Sequence, residues 1–236
     1  GWDLCMLGVG LRSNVEAAQQ LMQQDLFGTS RVAVVHDLYE QDQARMHLDC
    51  IFNILGTDCA VLAEDVIGEA SPVRRMVTEY IKTDQEDHPE LGRYRVNREG
   101  VEFSQYLKEN GYNVIALTRE EQLEYGCNVI NLGNGNIVGC NHEASRKIIR
   151  SPHFKGSIEI VDFGSITAMY GGLHCSTQVV RRRCEKGISP PQQSSPRFSE
   201  PPSAGNGAVT RGSSGGGANG NVARPPKSNG SSASPR

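Results

Sequence analysis

Residues 128–161, NVINLGNGNIVGCNHEASRKIIRSPHFKGSIEIV, carry a complete folding unit in one short stretch. Asn128–Leu132 and Asn136–Cys140 are short strand-like runs. Between them stands Gly133-Asn134-Gly135, residues that accept the left-handed backbone of a tight hairpin. His142–Arg150 then shows helical spacing, and Ser157–Val161 returns to strand-like alternation. The same vocabulary recurs upstream. Leu4–Val9 reads as a buried strand. Ser13 or Asn14 caps a helix from Val15 to about Leu26, with Val15, Ala18, Leu21, Met22 and Leu26 on one face, and Arg31–Val35 is the next strand. Met46–Leu55 and Cys59–Leu62 flank the turn Gly56-Thr57-Asp58, which predicts a second hairpin. Glu99–Glu109 reads as a helix, Tyr112–Leu117 as a strand and Glu120–Tyr125 as a short helix. The polar segment at about 71–98, with Pro72 and Pro89, reads as an excursion holding a short helix near Val73–Ile81. The expected fold class is α/β, built of repeated mixed-sheet modules and not of one long parallel sheet.

Composition divides the 236 residues in two. More than half of residues 189–236 are Pro, Gly or Ser, and Phe198 is the only aromatic there. Such a segment buries too little apolar surface to offset its ordering entropy, so it reads as a disordered tail behind a domain at 1–188. The formal charge of −3 splits into +4 for the tail and −7 for residues 1–188. An acidic body disfavours nucleic acid as a partner. No apolar run approaches the ~20 residues of a membrane span, which argues against a membrane partner. The chain enters a strand directly after Gly1 and reads as the middle of a longer product. Seven cysteines, an odd number without a CxxC pair, suit a reducing compartment such as the cytoplasm better than a disulfide framework. Cys140 and His142 are two apart, and no second pair has zinc-ligand spacing.

Three stretches can carry chemistry. Gly8-Val9-Gly10-Leu11-Arg12-Ser13 partly matches a dinucleotide fingerprint, but Ser13 stands where the third glycine belongs. A lone GxG match is weak, and the stretch reads otherwise as a plain strand-to-helix turn, or as a turn whose Arg12 receives a carboxylate. In Met46-His47-Leu48-Asp49-Cys50-Ile51-Phe52, strand alternation would put His47 and Asp49 on one face and Met46, Leu48 and Cys50 on the other. That pair can be structural, or can supply a base and an anion. Gly171-Gly172-Leu173-His174-Cys175-Ser176-Thr177 brings the backbone close beside a thiol. A free cysteine is often a buried, inert hydrophobe. With an imidazole at hand it becomes a candidate nucleophile.

HLDxxF at His47–Phe52, GLRSN at Gly10–Asn14 and GGLHCST at Gly171–Thr177 together resemble motifs of the guanidine-modifying (pentein) superfamily. Their order and separation look most like an arginine deiminase. The resemblance covers residues 1 to about 184. It implies a five-bladed propeller of ββαβ-type modules, of which this chain would hold about three blades. It implies Cys175 as the nucleophile, His47 as general acid and then base, Asp49 on the guanidinium nitrogens and Arg12 on a substrate carboxylate. The implied partner is a small guanidine, in the simplest case arginine, hydrolysed to citrulline and ammonia without metal or organic cofactor. Agmatine or peptidylarginine deimination and amidino transfer are related alternatives, as are a non-catalytic guanidine binder and a fragment that depends on a partner. A homo-oligomer is compatible with the resemblance. The family's upstream acidic motifs have no counterpart in Gly1–Leu11, and Met169-Tyr170 stands where many arginine deiminases carry an arginine.

Overall fold

A computed structural model of the protein describes residues 3–85 and 88–179. The segment 189–236 read as a tail, and Cys184, lie outside the described residues. Within them the strands form three small sheets. In the first, β1 (Leu4–Val9) runs parallel to β2 (Arg31–His36) through the crossover helix α1 (Val15–Gln23). In the second, β3 (Phe52–Ile54) and β4 (Cys59–Ala63) form the predicted hairpin around Gly56. The first sheet is completed by β5 (Met76–Lys82), antiparallel to β2, and by β6 (Tyr94–Glu102), antiparallel to β5. Helix α2 (Phe103–Glu109) leads to β7 (Asn113–Leu117), which joins β4 in parallel. After α3 (Arg119–Leu123), the third sheet pairs β8 (Ile130–Gly133) with β9 (Asn136–Gly139) as a hairpin. Helix α4 (His142–Arg150) then returns β10 (Ser157–Ile160) parallel to β9. The last described α-helix is the single turn α5 (Gly164–Thr167), and a 3-10 turn over His174–Ser176 follows it. The second and third sheets thus share a hairpin plus a parallel third strand, reached through α4 in the third sheet and through β5, β6 and α2 in the second. Among the described residues no helix is long and apolar enough to cross a membrane.

The two-residue period of a strand sorts side chains between neighbouring cores. Along β2, Val32 and Val34 enter a cluster with Ala18 and Met22 of α1 and with Tyr80 and Tyr94. Ala33 and Val35 point the other way, into a cluster with Leu62, Val77, Phe103 and Tyr106. Along β4, Ala60 and Leu62 face that same cluster, while Cys59 and Val61 join Ile115, Leu117, Ile137 and Ile148. All five residues of β4 are buried, so this strand is a wall shared by two cores. Helix starts are fixed by side-chain caps that satisfy otherwise orphaned N–H groups. Asn14 accepts from Ala17, Asn141 accepts from Ala144, and Thr118 with Glu121 forms a reciprocal capping box.

Three expectations are corrected. The segment at 71–98 is no excursion with a helix at Val73–Ile81: it supplies β5 and most of β6. The helix expected from Glu99 starts at Phe103, because β6 continues to Glu102, whose carboxylate caps the helix by accepting from Ser104 and Gln105. The strand expected from Met46 starts only at Phe52; before it, Leu48–Cys50 is a single turn of 3-10 helix with His47 at its N-cap position. In β1, Val9 alone is buried and the rest is half-buried.

Candidate active site

The chemistry-bearing residues sit in loops that follow strand ends. Arg12 follows β1, His47 and Asp49 lie between β2 and β3, and Cys175 follows α5. The glycines of Gly8-Val9-Gly10 admit the neighbouring segments. A Cβ on Gly8 would come within 2.9 Å of Leu48 Cβ, and one on Gly10 within 2.9 Å of Asp37 Cβ. The cavity left between this turn and the 45–48 segment is about 20 Å³, room for about one water and not for a nucleotide. The glycine pair is thereby accounted for by close packing.

A buried ionic cluster holds the approach to His47. Arg45, with a fully buried side chain, donates to Gln122 Oε1 (2.8 Å) and Asp65 Oδ2 (2.7 Å). Arg75 donates to Glu40 Oε2 (2.9 Å), and Arg119 reaches Asp42 and Asp65. These contacts tie residues 40–45 to α3 and to the loop after β4, which fixes where the chain enters the 3-10 turn. Arg12 is exposed, donating to Met46 Sδ (3.1 Å) and Gln43 Oε1 (3.0 Å). It therefore rests on the residue that precedes His47.

The His47 loop and the cysteine loop meet at Asp49. Cys175 Sγ donates to Asp49 Oδ2 at 3.5 Å, and His174 Nδ1 lies 2.9 Å from the same oxygen. His47 is exposed, and its ring, the Asp49 carboxylate and the Cys50 thiol hold their donor atoms within 4.8 Å of one another. The structure thus brings Cys175 to one side of Asp49 and groups His47 and Cys50 with the same carboxylate, while Arg12 touches only Met46 and Gln43 nearby.

Sequence reading missed Asn128, the buried centre of this arrangement. Its Nδ2 donates to Asp49 O (3.1 Å) and to Cys175 Sγ (3.2 Å). Its Oδ1 accepts from His174 N (2.9 Å) and Cys175 N (3.3 Å). One amide thereby binds both loops. Gly172 makes room for it: a Cβ there would overlap Asn128 Oδ1 and stand 2.8 Å from Tyr125 Cδ1. Gly171 is under no such demand, since its nearest neighbour would be Cys175 Cβ at 3.9 Å. His174 was also passed over, although its position next to the thiol was a usable signal. Asn128 had none, because its partners lie 46 and more residues away.

The electrostatics describe a resting site. Burial and the Asp49 carboxylate push the Cys175 thiol above its ordinary range, while a Gly172 backbone hydrogen bond and the Asn128 amide pull partly back. Burial opposes ionisation of Asp49, but hydrogen bonds from His174 and Cys175 and the proximity of His47 outweigh it and hold the carboxyl low. The same Asp49 contact raises the His174 imidazole. Burial lifts the Cys50 thiol to about 11. A cavity of about 550 Å³ is lined by Tyr125, Cys140, His142, Asp162 and Phe163 among others, and Cys175 is not among its lining residues. Cys175 itself is exposed.

Comparison with known proteins decides the lineage of this site. A family model described as arginine deiminase matches residues 1–182. The chain belongs to the arginine deiminase family. It is similar to an arginine deiminase from Halobacterium salinarum, 22% identical over 206 residues, covering 74% of this chain. The chain spans about 40% of the length of that curated relative. All the site residues named above fall inside the stretch that matches the family.

Proposed function

We propose that this chain carries the nucleophile half of a guanidine-hydrolysing site, with arginine as the simplest substrate and citrulline and ammonia as products. The observation that carries the reading is the Cys175 thiol 3.5 Å from Asp49 Oδ2. A planar guanidinium paired with that carboxylate would lie against the sulfur, with charge-assisted hydrogen bonds fixing its plane. Its arrival also reverses the local field. The anion that holds the thiol proton becomes the partner of a cation, and the cation favours thiolate.

In the first half-reaction the Cys175 thiol passes its proton to His47 and the resulting thiolate adds to the guanidinium carbon. His47, as general acid, gives a proton to one nitrogen, which departs as ammonia and leaves an S-linked thiouronium. In the second, His47 accepts a proton from water as the oxygen adds to the same carbon, and the Cys175 thiolate leaves from the ureido product. Asn128 stabilises the sulfur anion in both halves through its Nδ2 donor. Arg12, on the rim beside Met46, offers a fork of donors to a substrate carboxylate. The three sheets with shared cores are read as successive blades of the family's propeller. Thiol chemistry of this kind belongs in a reducing compartment, the cytoplasm, and every described cysteine is free.

The reading is tested on the full chain with a cationic haloacetamidine, followed by peptide mass analysis. Cys175 should react faster than Cys59 or Cys127, arginine should protect it, and Asp49→Asn should erase the preference for a cationic over a neutral alkylating agent. Labelling of Cys175 no faster than of Cys59 overturns the assignment. A binding-only reading draws on one feature, the raised thiol; it predicts protection by arginine with no ureido product, and Cys175→Ser binding arginine as well as the parent.

A further inference from the structure

Cys50 has no part in the hydrolysis proposed above, yet it stands inside the cluster. His47 and Cys50 are three residues apart at the ends of one 3-10 turn, and side chains three apart eclipse in that geometry. The result is a histidine nitrogen, a carboxylate oxygen and a thiol sulfur with ligand atoms within 4.8 Å of one another. A second thiol reaches the same carboxylate from the other loop. Asp49 Oδ1 is 3.9 Å from Cys50 Sγ, and Asp49 Oδ2 is 3.5 Å from Cys175 Sγ. Metal–ligand bonds of roughly 2.0–2.3 Å in a tetrahedral site separate ligand atoms by about 3.3–3.8 Å; His47, Asp49 and Cys50 need only draw together, while Cys175, outside their 4.8 Å group, would swing in from its contact with Asp49.

We propose that His47, Asp49, Cys50 and Cys175 form a chelating site for a thiophilic divalent cation of the zinc class, one that masks Cys175 when occupied. One imidazole, one carboxylate and two thiols are a borderline-soft donor set that selects zinc or cadmium over magnesium or calcium. Each thiol passes its proton to solvent on ligation, and no electron is transferred. His174, 2.9 Å from Asp49 Oδ2, serves as the outer partner that orients the ligating carboxylate. Exposed His47 and Cys175 leave an open path for entry. That the cation silences hydrolysis rests on the proposed function; that it binds does not.

Cadmium is the probe, because cadmium–thiolate bonds give an ultraviolet charge-transfer band that counts sulfur ligands. Titration of the full chain should saturate at one equivalent with the intensity of two thiolates, and zinc should bleach the band by competition. Cys50→Ser and Cys175→Ser should each halve the intensity and weaken binding more than about tenfold, and the double variant should abolish the band. Full intensity in the double variant overturns the site, as does the absence of saturable binding to the parent chain. Zinc should also protect Cys175 from a neutral alkylating agent, with a midpoint that rises more than about tenfold in Cys50→Ser. Equal protection in Cys50→Ser argues against Cys50 as a ligand. If cadmium binds as described while arginine neither protects Cys175 nor turns over, the guanidine reading fails and the metal site stands.

Discussion

Replacing Asn128 by alanine removes the amide that binds the two site loops, and its effect on the nucleophile can be worked out. Asn128 is 1% exposed, and its Nδ2 donates to Cys175 Sγ at 3.2 Å. When the sulfur carries charge, such a bond is worth ~1.5–3 kcal/mol. At about 1.4 kcal/mol per factor of ten, losing it would lower the thiolate population roughly ten- to a hundredfold. Cys175 is exposed, so water recovers part of this, and the expected loss falls near the lower figure. The assay is the rate of alkylation of Cys175 by neutral iodoacetamide across pH, read by mass spectrometry on the Cys175 peptide. Asn128→Ala should slow that rate about tenfold at neutral pH and move its rise to higher pH. Asn128→Asp keeps an acceptor for the His174 and Cys175 N–H groups but puts an anion where the donor was, so it should be slower still. Parent-like rates in both variants, with both folded by circular dichroism, would refute the claim that Asn128 stabilises the sulfur anion.

Other perturbations follow from the same contacts. Gly172→Ala should cost about 1–3 kcal/mol by overpacking against Asn128 and Tyr125 and slow Cys175 labelling, while Gly171→Ala should leave melting and labelling near those of the parent; equal behaviour of the two would contradict the packing described. Arg45→Met should destabilise the chain by about 3 kcal/mol in urea titrations, the low end for removing one partner of a buried pair, because Arg119 stays beside Asp65 and Glu40; a loss under about 1 kcal/mol would place the cluster's strength elsewhere. Glu79 is buried, which by itself raises its carboxyl, but hydrogen bonds from Tyr106, Asn97 and Arg31 outweigh that and hold it low. A carboxyl lower in the folded state than its unfolded value near ~4.3 contributes stability above that value and loses it as pH falls through the folded one. Urea midpoints measured down the acid limb should therefore fall less steeply in Glu79→Gln than in the parent.

The parts of the fold that could be read in advance are those where local chemistry and tertiary role agree. The hairpin at Gly133-Asn134-Gly135 needs left-handed backbone, and those residues supply it, with Asn134 at φ 54°. Helix α4 carries its cap, Asn141, and its buried stripe of Ala144, Ser145 and Ile148 in sequence. β6 failed for a physical reason. YRVNREGVE exposes most of its residues at a sheet edge, so little apolar alternation marks it. In β5 the buried Glu79 breaks the apolar pattern, and partners remote in sequence, Arg31, Asn97 and Tyr106, make that burial tolerable. HLDC alternates like a strand, yet the chain turns there. The glycine at position 8, on another strand, lets Leu48 pack at close range. Candidate site residues with reactive side chains were legible. An amide that matters through its contacts, Asn128, was not.

The Cys175–Asp49 contact joins residues 126 apart in the chain. Closing so long a loop comes late in assembly, after the local hairpins and crossover units have formed. Until that closure the cysteine is an ordinary thiol without the Asp49 carboxylate or the Asn128 amide beside it. On the nascent or misassembled chain Cys175 therefore reacts as any free thiol does, and only a preference of Cys175 for a cationic over a neutral alkylating agent would count molecules in which the Asp49 and Cys175 loops have met.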